Sequence, residues 1–353
     1  MSEKSPHESL SEVTTLPSEK STLQTRGMEC ALYKWSPPNK DMKIKGIAVV
    51  YHGFVSFELL FYYYSCAVHC IIPIHPSLRI SGVIVCLLFH SNLTRLICSA
   101  QGAHSNYPTV KYASSLLAES GLLVYGLDLP GHGASPGTRG LLTGVDDLIE
   151  DGLAVAKHAK EDSIKVNDGE DLPLFLVGSS MGGAIALAVA NRLPEIVKGV
   201  VMLAPMLSLN VGSTARTALG ALSCMPLINH MPLIPSSATT PDQQYRDAER
   251  RAECENDTMT YKGNMRPQSA NTCVAFTDYI QQLFDKVTVP FLCMIAEEDV
   301  VVDNSQSKTL METAPSTDKT LKSYAALHGL LCEPAPLLGI IESDFVDWII
   351  ERC

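Results

Sequence analysis

LPLFLVGSSMGGAIALAVANRL, residues 172–193, decides the fold. LPLFLVG (172–178) is an apolar run, the pattern of a strand buried on both faces. MGGAIALAVANRL (181–193) is rich in alanine and leucine and reads as a helix. Between them GSSMG (178–182) has the form G-x-S-x-G. So sharp a strand-to-helix turn forces its central residue, Ser180, into a strained conformation, and small residues at 178, 182 and 183 relieve the crowding. The turn exposes the Ser180 oxygen at the carboxyl edge of a sheet, near the positive end of a helix. Ser179 is the neighbouring hydroxyl, but its place in the spacing is wrong.

Outward from this point the chain alternates. IKGIAVVY (44–51), LLVYGLDL (122–129), VKGVVMLAP (197–205), VPFLCMIA (289–296) and KTLKSYAA (319–326) read as strands. Helical spacing is predicted over 108–120, 143–162, 272–286, 305–313 and 336–352. This rhythm implies an α/β fold with a mostly parallel central sheet and helices on both faces. Residues 206–270, rich in Ser, Thr, Met and Pro, break it and are expected to form a cap inserted between two strands. The core then comprises 21–54, 102–205 and 271–353, after a polar, disordered tail over 1–20.

A formal charge of -11 argues against nucleic-acid binding, which needs a basic footprint. The 11 cysteines are scattered, with no C-x-x-C pair, and the start of the sequence lacks a secretory apolar region. They read as reduced core thiols of a cytoplasmic protein.

A serine hydroxyl needs a histidine base oriented by a carboxylate to become a useful nucleophile. In a fold of this kind the chain order is Ser, then Asp or Glu, then His. Only His230 and His328 follow Ser180. His230 falls in the cap between Met and Pro and reads as a cap residue. His328, in YAALHGLL after the last strand, is the expected base. AEEDVVVD (296–303) offers Glu297, Glu298, Asp299 and Asp303; Asp299, just past the strand end, is the expected acid, with Asp303 next. The backbone N–H of Met181 is expected to donate to an oxyanion, together with that of Phe54 in the loop after strand 44–51. His52 and Asp128 read as loop-fixing residues.

Val55–Gln101 does not fit. It holds four cysteines but a single acid, Glu58, and its apolar runs, such as ISGVIVCLLF (80–89), fall short of the ~20 residues needed to span a bilayer. Without it the flanks join as VVYHGF and GAHSNYP, a continuous strand-to-loop motif. Val-Ser can be encoded with the GT-N-AGT start of an intron and Gln with its CAG end. The stretch is therefore read as a translated, retained intron; a re-entrant hairpin or membrane anchor is the alternative.

Taken together the motifs resemble the monoacylglycerol lipase and lysophospholipase group of α/β-hydrolases, the serine aminopeptidase-like hydrolases. The matching residues are HGF and GAHS (52–54, 102–105), GLDLPGHGASPGTRG (126–140), VGSSMGGAIAL (177–187), APM (204–206), NDTMTYKGNMRPQSA (256–270), MIAEEDVVVD (294–303) and YAALHGLLCEP (324–334). The resemblance covers Gln24 to the C-terminus except 55–101. It implies Ser180 as nucleophile, Asp299 as acid, His328 as base, and Phe54 and Met181 as oxyanion donors. It further implies an acyl tunnel under the cap, a lipid-like ester substrate, peripheral contact with membranes or lipid droplets, and no metal or organic cofactor. The Met-rich cap (Met202, Met206, Met225, Met231) suits a flexible acyl pocket. Two departures stand out: Ser179 replaces the group's usual histidine, and the insertion follows Phe54. The alternatives are a lysophospholipase, a general carboxylesterase or an acyltransferase on the same fold, and a ligand-binding protein that has lost catalysis.

Overall fold

The computed structural model describes residues 15–54, 103–234 and 240–353. Its apolar segments pair into one sheet of β1 (Glu19–Thr25), β2 (Met28–Trp35), β3 (Gly46–Tyr51), β4 (Leu122–Leu127), β5 (Leu174–Ser179), β6 (Val197–Leu203), β7 (Phe291–Ala296) and β8 (Lys319–Tyr324), in the order β1-β2-β4-β3-β5-β6-β7-β8. From β4 to β8 every pairing is parallel, and β1 and β2 are antiparallel to their neighbours. The helices are α1 (Pro108–Glu119), α2 (Val145–Val166), α3 (Met181–Arg192), α4 (Ser213–Ser223), α5 (Pro241–Gln244), α6 (Ala248–Asn256), α7 (Pro267–Gln281), α8 (Ser305–Thr313) and α9 (Leu337–Ile350).

The period of two sorts the side chains of β5 onto opposite faces. Leu174 and Leu176 pack with α2, α3 and α7, whereas Phe175 and Val177 pack with α1 and α9. Burial on both faces is why these strands read as unbroken apolar runs. β3 lies between β4 and β5, so the winding reverses beside it. The crevice at the carboxyl ends of β3 and β5 is where such sheets bind ligands.

Of the polar tail expected over 1–20, residues 1–14 lie outside the described residues, and the last residues of the range are already part of the fold. Leu16 donates its N–H to Ser115 Oγ, and Glu19 and Lys20 already belong to β1. The turn at Arg26-Gly27 has positive φ at both residues (46° and 75°), which suits a tight hairpin. Asp151 of α2 pins it by accepting from Thr25 Oγ1 at 2.6 Å and Arg26 Nε at 3.0 Å.

The region between β6 and β7 holds α4 to α7. It straddles the carboxyl edge: α4 packs on α7, which rests on α2 and α3, and α6 packs on α1. α7 begins at Pro267, inside the segment assigned to the cap. Among the described residues, no helix is long and apolar enough to cross a membrane. Val55–Gln101, with its intron reading, lies outside the described residues.

Candidate active site

Ser180 sits between β5 and α3 with φ 56° and ψ -122°. Such a backbone costs on the order of 1–3 kcal/mol and must be held in place by its surroundings. Its N–H donates to Leu203 O at 3.0 Å and its carbonyl accepts from Met206 N at 2.9 Å. The glycines follow from crowding. A Cβ on Gly178 would stand 2.1 Å from Gly182 O, and one on Gly182 would stand 2.2 Å from Tyr51 O. A Cβ on Gly53 would stand 3.3 Å from Ser180 Cβ, so the loop after β3 lies against the serine.

His328 follows β8 and shares a cleft with Ser180. Its Nδ1 lies 2.8 Å from Asp299 Oδ2, and the Asp299 side chain is fully buried. Asp299 Oδ1 accepts from Val301 N at 2.8 Å and Val302 N at 3.0 Å, so the valine run after the acid folds back and closes the turn on it. Burial pushes the Asp299 carboxyl up. The facing His328 and the two amides outweigh burial and hold the group below its ordinary value. The other acids lie elsewhere: Asp303 accepts from Ser305 N and Oγ at the start of α8, Glu297 from Ser323 Oγ, and Glu298 pairs with Arg246. His230 is exposed in the cap, and its carbonyl accepts from Arg266.

Phe54 is buried beside Ser180, and Met181 is the first residue of α3, where an N–H has no carbonyl within the helix to bond. Behind Phe54, His52 bridges two loops: its Nδ1 meets Gly53 O and its Nε2 accepts from Leu129 N, each at 3.1 Å. Burial drives its pKa down to about 4. Asp128 accepts from Ser105 N at 2.7 Å and Ala134 N at 2.8 Å, tying the loop before α1 to the loop after β4.

Two clefts meet at Ser180 and Phe54. The larger encloses about 670 Å³ of empty space, its open mouth included, on the α1 face, with Tyr107, Val110, Tyr245 and Leu331 in its lining. The smaller, about 260 Å³, is lined by Met206, Leu209, Cys273, Val301 and Val302 on the opposite face. Met206 thus reaches the site as the Met-rich reading expects. Met202 instead lies buried in β6, and Met225 and Met231 are exposed, because the β6 strand and the cap surface claim them.

The sequence reading missed Tyr107 and Tyr245, whose hydroxyls meet at 3.0 Å beside the larger cleft. It also missed Arg246 and Glu333. None of the four stands in a catalytic spacing, so no local signal marked them. The cap is fastened by Asp257, which pairs with His104 Nε2 at 3.1 Å, and by Arg139, which donates to Met259 O. Burial pushes Asp257 up, but His104 and backbone donors bring it down to about 2. Cys30, Cys254, Cys273, Cys293 and Cys332 are buried free thiols, whereas Cys224 and Cys353 are exposed rather than core thiols. No group of three or more His, Cys, Asp or Glu among the described residues is placed to hold a metal ion.

The sheet order, the strained serine turn and the histidine–aspartate pair define a hydrolase of the α/β-hydrolase class. The chain belongs to the serine aminopeptidase S33 family, whose profile matches residues 91–335. It is 30% identical to caffeoylshikimate esterase of Arabidopsis thaliana over 66% of this chain and 70% of that protein. To human monoglyceride lipase it is 28% identical, over 73% of this chain and 82% of the relative. The fold is similar to a soluble variant of monoglyceride lipase from Saccharomyces cerevisiae, solved with a substrate analogue, at a TM-score of 0.70 and 16% identity, covering 97% of each chain. The protein is an ester hydrolase.

Proposed function

We propose that the chain hydrolyses monoacylglycerols through an acyl-enzyme, with Ser180 as nucleophile, His328 as general base and Asp299 orienting the base. The observation that carries this reading is the 2.8 Å contact between His328 Nδ1 and the buried Asp299 Oδ2, in a cleft that His328 shares with Ser180. A carboxylate on Nδ1 fixes the ring proton there and leaves Nε2 free to take the serine proton. Ser180 Oγ then attacks the ester carbonyl, and the N–H groups of Met181 and Phe54 receive the oxyanion. Collapse expels glycerol, which takes its proton from His328. Water, activated by the same ring, releases the fatty acid and restores the serine.

The substrate class rests on the lipase names of the relatives and on the apolar lining of both clefts. Contact with a lipid surface is supported by the cap segment after α4, where Leu227 is 87% exposed beside exposed Met225 and Met231. A serine-directed fluorophosphonate is expected to label the wild-type chain and not Ser180→Ala; equal labelling overturns the assignment. Turnover of monoacylglycerol is compared with that of a lysophospholipid, a short-chain ester and a caffeoyl ester, and preference for one of these replaces the substrate. No turnover of any ester favours a ligand-binding protein.

A further inference from the structure

The loop that carries His328 is closed on itself by a carboxylate. Glu333, five positions after the histidine, is 1% exposed, and its Oε1 accepts from Leu327 N at 2.7 Å. Leu327 immediately precedes His328, so this bond clasps the whole segment 327–333. Two backbone bonds fasten the same segment to the cap: Gly329 donates to Gln244 O at 2.8 Å and Asp247 donates to Cys332 O at 2.8 Å.

Between those two cap residues lies Arg246. Its Nε stands 2.9 Å from Glu333 Oε2 as an ion pair without hydrogen-bond alignment, and its terminal nitrogen reaches Glu298 Oε1 at 2.9 Å. Glu298 adjoins Asp299, and its N–H donates to Ala326 O at 3.1 Å. Arg246 therefore touches both the histidine loop and the acid loop. Burial lifts the Glu333 carboxyl above its ordinary value, against Leu327 N–H and Arg246. Burying an acidic group at a cost makes sense where a fixed acceptor is needed for a backbone donor.

We infer that Glu333 is a positioning residue: by accepting the Leu327 N–H it holds His328 Nδ1 on Asp299, and Arg246 steadies that carboxylate from the cap. This rests on His328 being the base of the proposed reaction. The role needs an acceptor at the right distance rather than a negative charge. Gln keeps that reach, Asp is one methylene too short, and Ala has no acceptor.

The test is steady-state kinetics of the full chain on a monoacylglycerol, with Ser180→Ala alongside. Glu333→Gln is expected to keep kcat within about threefold. Glu333→Asp is expected to fall further, and Glu333→Ala by about 10–100-fold with KM nearly unchanged, as for a small misplacement of a reacting group. If Glu333→Ala does not fold, the order of Gln above Asp still decides. Asp equal to or better than Gln, or kcat unchanged in Gln, Asp and Ala alike, overturns the inference. Activity that survives in Ser180→Ala overturns the underlying reaction instead, so the two failures are told apart.

Discussion

The His52 ring holds the carbonyl of Gly53 through Nδ1 at 3.1 Å while Leu129 N–H occupies Nε2. Because the amide of Leu129 can only donate, Nε2 must accept, and the ring proton sits on Nδ1 facing Gly53 O. A trans peptide points its C=O and N–H in opposite directions. Pinning the Gly53 carbonyl to the ring therefore turns the Phe54 N–H away from it. His52 fixes the direction of the proposed oxyanion donor without touching substrate.

Replacing His52 with Ala is expected to lower kcat by about 10–100-fold with little change in KM, a partial loss of one oxyanion donor. Burst and steady-state kinetics with a chromogenic ester check it. An unchanged kcat in a folded variant removes His52 from the site.

The two nearby aspartates should separate cleanly. Asp299→Asn leaves the buried contact with His328 but reverses its polarity, favouring the wrong ring tautomer, and kcat is expected to fall about 10⁴-fold. Asp303 accepts from Ser305 N at 2.9 Å and serves the start of α8. Asp303→Asn is expected to keep activity and cost at most about 1 kcal/mol of stability. Equal losses in the two variants would contradict the assignment.

What was legible follows from where each signal is local. β5, Ser180 and α3 are adjacent in sequence, and the turn joining them needs small residues at fixed offsets, so GSSMG announces itself. The contact between His328 and Asp299 could be expected because each follows a strand end on the correct side of Ser180 in chain order. The β1–β2 hairpin was not found: EKSTLQT is a solvated edge strand with only Thr25 buried, and it lacks the apolar alternation that marks a half-buried strand. Arg246 and Glu333 meet only after the cap folds over the sheet edge, so no window of sequence contains both. The fate of the four cap methionines was equally unreadable, since composition does not tell which face a residue takes.

Acid should destabilise the fold well before the carboxylates titrate. Burial lowers the pKa of His52 to about 4 and of His132 to about 3, from an ordinary 6.5. Folded-state values below the unfolded ones mean the unfolded chain binds more protons in this window. Stability is then full above pH 6.5 and declines as pH falls toward 4 and 3; His52 alone accounts for about 3 kcal/mol. Urea midpoints between pH 7.5 and 5 check the slope, and His132→Gln should flatten it.

The serine turn leaves no room for a methyl group. Gly182→Ala would place Cβ 2.2 Å from Tyr51 O, a contact between two backbone segments that cannot swing aside. We expect insoluble or strongly destabilised protein, with a loss of more than about 3 kcal/mol. Gly212, just before α4, has no atom within 4 Å of an added Cβ. Gly212→Ala is expected to express and melt like the wild type, which thermal denaturation of both variants checks.

The stretch 55–101 interrupts the sequence between Phe54 and Gly102, and Phe54 and Ala103 line the cleft that holds Ser180. Phe54 is the proposed second oxyanion donor, and the loss of one such donor costs about 10²–10³ in rate. Joining Phe54 directly to Gly102 restores the motif HGF-GAHS. The chain lacking Val55–Gln101 is expected to fold and to hydrolyse monoacylglycerol at least about 10-fold faster than the full chain, measured side by side as fatty-acid release. If the full chain is the faster of the two, the stretch belongs to the working enzyme. Sequencing of the mature message then decides its origin, because a transcript that keeps these codons as its main form excludes a retained intron.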